Sequence, residues 1–335
     1  MSTIETIMAS LIPIGSNKQY QHFAFSDDAF EKAVTFQPQT TDCFVTTPPK
    51  TGTTVLQYIC HLLRSTSSCD LKRDELFMNA SDFEDIYQVA PWAMMAWDLG
   101  YDITQKDYNQ RCPVSNQAYP MRVFKSHQRL SAMNPGAKYI VTIRDPRSTL
   151  MSWWKFLKNN DPPPLRKYTS ISDFALDKDF FAENMKFGAS LWEYFNEYLQ
   201  HVKNPNVLVV VFEDLVKDIR GHLPTLSKFL GLNVSDDHLD AIAKLSSKEE
   251  MMKNISKFDE SWTHERLKTL NRAKEPDCFQ PSPRVTSGSD ISTLSKETIQ
   301  FLEDRWKEVI ATSTGIRNYE ELATIVREEF IKRSI

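Results

Sequence analysis

Two prolines in the chain are followed by a lysine, a glycine and three threonines, in Pro48-Pro49-Lys50-Thr51-Gly52-Thr53-Thr54. An ammonium, hydroxyls and a residue that lets backbone come close are the groups that hold an oxyanion such as phosphate or sulfate. A second stretch, Lys125-Ser126-His127, sets a cation and an imidazole two residues apart, on one face if the backbone is extended. A third begins at Arg144, whose planar fork of donors suits a phosphate, and reaches Ser152 eight residues later. Taken alone the imidazole is more often a structural group than a base, but on a shared strand face Lys125 and His127 can aim at one ligand.

These groups need rigid elements beneath them. Cys43–Thr47 is a short β-prone run, and the apolar spacing at Val55, Leu56, Ile59, Leu62 and Leu63 is helical, so the lysine-threonine segment is a tight loop opening a helix. The unpaired N–H groups and positive dipole end of that helix favour an anion. Further strands are expected over 121–127, over Lys138–Ile143 with its almost continuous apolar run, and over Asn206–Phe212. Helices are expected over Arg147–Lys158, with Asp145 capping and Pro146 at the first position, over Phe180–Val202, and over Ile219–Leu230 with Gly231 as the stop. Residues 235–255 and 293–313 also read as helical, and 275–290 as a long loop. Strands alternating with helices predict an α/β fold, a central and mostly parallel sheet with helices on both faces. Ligands bind such sheets at the carboxyl ends of the strands, which is where Lys50, Lys125, His127 and Arg144 all fall.

Composition narrows the function classes. The 335 residues are 41% hydrophobic, enough for a full core, and the net charge of −4 supplies no global field for nucleic acid. The apolar runs Tyr139–Ile143 and Val207–Phe212 are too short to span a bilayer, and Met1–Ser16 carries Glu5 and no basic residue, unlike a signal peptide. Cys43, Cys60, Cys69, Cys112 and Cys278 form no CxxC pair, so neither a disulfide framework nor a zinc site is expected, and a reducing cytoplasmic setting is. With only nine glycines in the chain, Gly52 is expected to serve a close approach or a positive φ. The layout expected is a lead-in over 1–35, one domain over 36–320 and a helical tail over 321–335.

The order Pro-Lys-Thr-Gly-Thr-Thr resembles the 5′-phosphosulfate loop of the cytosolic sulfotransferases, and it departs from the GxxxxGK[ST] order of ordinary nucleotide loops because Lys50 precedes Gly52. Arg122-x-x-Lys125-x-His127 is similar to the stretch holding that family's catalytic base. Tyr139–Arg147 followed by Ser152-Trp153-Trp154 resembles its 3′-phosphate motif. Val211–Leu215 and Leu245–Met251 are similar to two further segments, with Phe212 in place of a tyrosine and Ser246 and Ser247 retained. Lys248 and Val55 stand where the family has aromatic residues that stack on adenine. Arg284 in Pro283–Asp290 partly resembles a C-terminal loop contacting the 3′-phosphate. The resemblance spans about residues 36–320 and implies a P-loop-like sulfotransferase fold using 3′-phosphoadenosine 5′-phosphosulfate (PAPS, product PAP) with no metal.

What it implies for roles follows the same positions. His127 is the general base, Lys50 meets charge growing on the leaving oxygen, and Lys125 assists at the sulfonate. Thr51, Gly52, Thr53 and Thr54 hold the 5′-phosphate; Arg144, Ser152 and Arg284 hold the 3′-phosphate; Phe212, Ser246 and Ser247 line the nucleotide. The acceptor is a small molecule with a hydroxyl or amine. Its candidate walls are Phe77, Trp92, Met94, Met95, Trp97, Trp153, Trp154 and Phe156, each of which also reads as core. Asp82, Glu84, Asp85, Asp98 and Asp102 are either a solvated face or a preference for a cationic acceptor. No partner other than this acceptor is implied, neither nucleic acid nor membrane, and a homodimer is left open. The rival readings are a P-loop-type nucleotide kinase and a non-catalytic nucleotide-binding protein that kept the fold.

Overall fold

Four short runs of β-branched and aromatic residues form the sheet: β1 (Cys43–Thr46), β2 (Val123–Ser126), β3 (Lys138–Ile143) and β4 (Val207–Val211). The computed structural model describes residues 25–67, 82–105, 108–111, 118–160, 168–177, 189–272, 283, 285 and 290–334. All pairings are parallel, in the spatial order β2-β1-β3-β4, with Phe44 opposite both Phe124 and Tyr139. The chain therefore leaves the central strand β1 first to one side and then to the other. That reversal opens a crevice at the carboxyl ends of β1 and β3.

The strands are buried on both sides. Phe44, Phe124, Tyr139, Val141 and Ile143 point into one core, while Cys43, Val45, Val123, Ile140 and Leu208 point into the other. Phe44 stacks on Phe124 with centroids 5.1 Å apart and on Tyr139 at 6.0 Å, so the first core begins as an aromatic ladder across three strands.

The helices follow the two cores. They are α1 (Asp27–Thr35), α2 (Thr53–Ser67), α3 (Ile86–Val89), α4 (Pro146–Asn160), α5 (Ile171–Leu176), α6 (Leu191–His201), α7 (Phe212–Lys217), α8 (Ile219–Leu230), α9 (Asp236–Leu245), α10 (Lys248–Lys253), α11 (Ser261–Thr269), α12 (Lys296–Trp306) and α13 (Tyr319–Ser334). Helices α4, α6 and α12 cover the aromatic face, and α2, α8 and α9 the other. The expected helix over 235–255 is broken at Ser246-Ser247, where Ser247 caps the new helix by accepting from the Glu250 N–H. The helix expected over Phe180–Val202 begins instead at Leu191, where extended Ser190 caps it by accepting from the Glu193 N–H; 180–188 lie outside the described residues. Helix α13 begins at Tyr319 and packs against β4 and α8, with Arg327 clamping Asp214. No described helix is long and apolar enough to cross a membrane.

One buried ion pair fixes the amino ends of β1 and β2. Asp42 is fully buried and receives Arg122 Nε at 2.7 Å and Nη2 at 2.6 Å. Removing one partner strands a buried charge, so Asp42→Ala should lower the unfolding free energy by about 3–5 kcal/mol. A urea titration at unchanged m-value checks it.

Candidate anion and proton-transfer site

The loop after β1 is built by its own hydroxyls. Thr51 Oγ1 donates to the Pro48 carbonyl at 2.7 Å and shares a 2.7 Å hydrogen bond with Thr142 Oγ1 of β3. Thr47 and Thr53 share another at 2.6 Å across the loop. So braced, the chain turns through left-handed conformations at Lys50 (φ 68°) and Gly52 (φ 113°). A non-glycine residue there is strained and persists only where surrounding contacts impose it. One such contact is Arg144 Nη1, which donates to the Lys50 carbonyl at 2.6 Å. Gly52 has a second reason to be glycine: a Cβ would stand 2.4 Å from the Phe212 ring.

Among the described residues, no hydrogen bond uses the N–H of Gly52, Thr53 or Thr54. Three donors thus sit at the dipole's positive end of the 15-residue helix α2. The sequence expects Thr51, Gly52, Thr53 and Thr54 to hold the anion through backbone and hydroxyl donors; the Thr51 N–H and hydroxyl both turn to the Pro48 carbonyl, and the Thr53 hydroxyl pairs with Thr47. The Thr54 hydroxyl belongs to the same helix start, and the Lys50 ammonium lies 4.5 Å above the Phe156 ring.

Lys125 and His127 come together at the carboxyl end of β2. The segment 91–93 pairs with Lys125 through Lys125 N–H to the Pro91 carbonyl and Ala93 N–H to the Lys125 carbonyl, each at 2.9 Å. This places the Trp92 ring 4.5 Å from the lysine ammonium and edge-on to His127 at 5.4 Å. His127 Nδ1 lies 2.8 Å from the Thr47 carbonyl. A carbonyl can only accept, so Nδ1 carries the hydrogen, and in the neutral ring the basic lone pair is on Nε2. Helix α6 holds the strand ends: Tyr194 donates to the His127 carbonyl at 2.5 Å and Tyr198 to the Thr46 carbonyl at 3.2 Å. Behind the lysine, Lys125 donates to the Tyr87 hydroxyl, which donates to Glu260 at 2.8 Å. Asp85, also buried here, caps α3 through the Tyr87 N–H and accepts from Thr263 Oγ1 at 3.1 Å. Burial, and to a lesser degree the charge of Glu260, pushes its carboxyl up to about 7.

Arg144 closes the other side of the crevice. Its guanidinium lies 4.5 Å over the Phe212 ring, and its buried Nε has no partner. Burial lowers its proton affinity, and the nearby Glu213 carboxylate partly restores it. Glu213 in turn accepts from the Asp145 N–H at 3.0 Å and from the Tyr319 hydroxyl at 2.6 Å, so α13 helps fix the residue beside Arg144. Asp145 takes the Arg147 N–H at 2.8 Å and pairs with its guanidinium.

Not every expected residue joins this edge. Met94, Met95 and Trp153 are core residues. Trp154 stacks on Phe174 at 5.8 Å, with Lys158 on its ring. Trp97 lies between Lys32 at 4.0 Å and Arg272 at 5.2 Å. Asp98 is buried and accepts from the Ser26 N–H and hydroxyl, and Asp102 is taken up by Thr104 and Gln105 in its own turn, so neither stands ready for a cationic acceptor. Ser152 is half-buried within α4, and Ser246 donates to the Ile242 carbonyl at 2.6 Å. Phe77 and Arg284 lie outside the described residues. Sequence reasoning missed Tyr87, Thr142, Tyr194, Tyr198 and Glu260. The four-residue spacing of Tyr194 and Tyr198 was visible, whereas nothing local links Tyr87 to Glu260, 173 positions away. No group of three or more metal-binding side chains occurs among the described residues.

The family model described as Sulfotransferase domain matches residues 40–282. Sulfotransferase 2A6 of Mus musculus is 27% identical over 244 residues, covering 70% of this chain and 76% of that protein. Amine sulfotransferase of Oryctolagus cuniculus is 27% identical over 226 residues, 66% of each chain. Among solved structures, mouse sulfotransferase SULT7A1 complexed with PAP superposes with a TM-score of 0.59 at 17% identity, over 91% of this chain and 94% of that one. Retinol dehydratase in complex with retinol and PAP gives 0.58 at 17%, over 85% and 88%. At such identities the two structures speak to the fold alone.

The buried Asp85 makes a pH signature. Its folded-state affinity for a proton exceeds the ordinary carboxyl value of 3.8, so the folded state binds more protons than the unfolded one between about 4 and about 7. Stability is lost as pH rises through that window. Asp85→Asn, which keeps a capping oxygen, should therefore gain on the wild type progressively as pH rises from 4 to 8 in paired urea titrations. A constant difference across the range would contradict the assignment.

Proposed function

The chain belongs to the sulfotransferase domain family, and we propose that it moves the sulfonate of PAPS to a hydroxyl or amine of a small molecule by in-line displacement. The observation that carries this reading is the pairing of unpartnered N–H groups at Gly52–Thr54 with the Lys125–His127 pair on the neighbouring strand. The unpartnered Nε of Arg144 fits a nucleotide bisphosphate bound across the crevice. That two fold neighbours are described as PAP complexes supports the same cosubstrate.

PAPS supplies an activated sulfonate on a phosphate leaving group. The roles we propose rest on the strand-end positions of these residues and, for Ser152 and Arg284, on the sequence resemblance. The N–H groups of Gly52, Thr53 and Thr54 hold the 5′-phosphate, with the Thr54 hydroxyl adding a donor. Lys50 meets the negative charge that grows on the bridging oxygen, an interaction worth most in the transition state. Arg144, joined by Ser152 and, as the resemblance implies, by Arg284, holds the 3′-phosphate; Phe212 supplies an apolar wall against the Arg144 guanidinium. Ser246 and Ser247 shape the turn between α9 and α10, where the adenine end would lie. His127 takes the acceptor's proton at Nε2, because Nδ1 is committed to Thr47. The acceptor packs its apolar body on Trp92 and Phe156, and the family match favours this reading over a nucleotide kinase or an inactive relative.

Transfer of ³⁵S from labelled PAPS to a panel of hydroxysteroids, retinol, phenols and aryl amines tests the reaction. His127→Ala should lower kcat by about 10²–10⁴-fold with KM for PAPS little changed. Undiminished turnover in that variant would remove the histidine from the chemistry.

A further inference from the structure

The buried side of the Lys125 ammonium meets aromatic and polar groups. Trp92 presents its ring face to it at 4.5 Å, and the Tyr87 hydroxyl makes a hydrogen bond to it. An ammonium has donors and no acceptor, so the tyrosine oxygen must accept and its own hydrogen must point elsewhere. It points at Glu260 Oε1, 2.8 Å away. The direction of both hydrogen bonds is therefore fixed by chemistry. Tyr87 and Glu260 are 1% and 4% exposed, where competing water is scarce and such bonds are worth more.

Glu260 is itself held in place. It occupies the left-handed region (φ 67°) at the residue preceding α11, and its carbonyl receives the His264 N–H at 3.0 Å. Thr263, in the same first turn, is tied to Asp85 at the start of α3, so the helices carrying the tyrosine and the glutamate are pinned together. A lysine on a flexible stem loses much rotamer freedom when fixed. The tyrosine, accepting from the ammonium and donating to the glutamate, orients the lysine.

We propose that Tyr87 and Glu260 are positioning residues for the transfer step, a two-link relay that holds the Lys125 ammonium beside His127 and ties it to the start of α11. The catalytic part of this role rests on the sulfonate-transfer reading above. The relay itself rests on the geometry of Lys125, Tyr87 and Glu260 alone.

The test compares wild type with Tyr87→Phe, which removes one oxygen, Glu260→Met, which keeps shape without an acceptor, and Glu260→Gln, whose amide oxygen still accepts from Tyr87. The first readout is acetylation of Lys125 by acetic anhydride at constant pH, followed by peptide mass spectrometry. Loss of a charge-assisted hydrogen bond should raise the rate about tenfold in Tyr87→Phe and Glu260→Met, with Glu260→Gln near wild type. The second is turnover of PAPS with whichever of androsterone and 2-naphthol the wild type sulfonates faster. Here kcat should fall about tenfold in the same two variants, while KM for PAPS and stabilisation by PAP stay within about twofold, because the relay acts in the transition state and not on nucleotide binding. Equal acetylation rates in all four proteins would overturn the relay. Altered acetylation with unchanged kcat would overturn its catalytic role. A wild type that neither sulfonates the probes nor is stabilised by PAP would defeat the transfer reading instead, while the acetylation rates would still decide whether the relay exists.

Discussion

The site depends on a backbone held in a conformation it would not choose. Lys50 and Gly52 both have positive φ, and the loop keeps this shape because Thr51 is bonded to Thr142 on the neighbouring strand and Arg144 grips the Lys50 carbonyl. The consequence is a helix whose first N–H groups face outward with no internal partner. Strain of order 1–3 kcal/mol at Lys50, the non-glycine residue of the two, is sustained by the rigid sheet around it. Everything chemical about the chain is arranged around those donors.

The sheet explains why the other groups arrive at the same place. With β1 central and the chain reversing direction across it, the loops after β1, β2 and β3 converge on one crevice. β2 delivers Lys125 and His127, β3 delivers Arg144, and β1 delivers the anion loop. Two tyrosines one turn apart on α6 pin the ends of β1 and β2 through their carbonyls. His127 is then oriented from β1 itself, through the Thr47 carbonyl. His127 and the loop after β1 are thus parts of a single hydrogen-bonded unit, so the distance between them cannot drift independently.

Much of this was legible in the sequence, for physical reasons that differ by residue. Lys50–Thr54, Lys125, His127 and Arg144 could be read because each stands at the end of an apolar run, and strand ends define the ligand edge of a parallel sheet. The parallel α/β fold followed from the same alternation of strands and helices. The aromatic candidates were harder. Trp92, Met94 and Trp97 are near neighbours in sequence, yet one faces His127, one is core and one is flanked by Lys32 and Arg272. The segment is irregular and carries no period from which to infer which way each side chain points. Asp98, read as part of either a solvated face or a preference for a cationic acceptor, is buried and holds the start of α1 through Ser26. Glu260 could not be found at all, since its partner lies in a distant helix and a lone glutamate has no pattern.

The central claim is that this crevice holds a nucleotide with phosphates at both the 5′ and 3′ positions. Its most direct measurement is the melting temperature of the purified protein with PAP, with ADP and with ATP–Mg²⁺, for wild type and Arg144→Ala. A ligand that binds only the native state must raise the melting temperature as RT ln(1 + [L]/Kd). The account predicts a large shift with PAP, a small one with the nucleotides lacking a 3′-phosphate, and loss of most of the difference in Arg144→Ala. A shift with ATP–Mg²⁺ alone, or a PAP shift indifferent to Arg144, would contradict it.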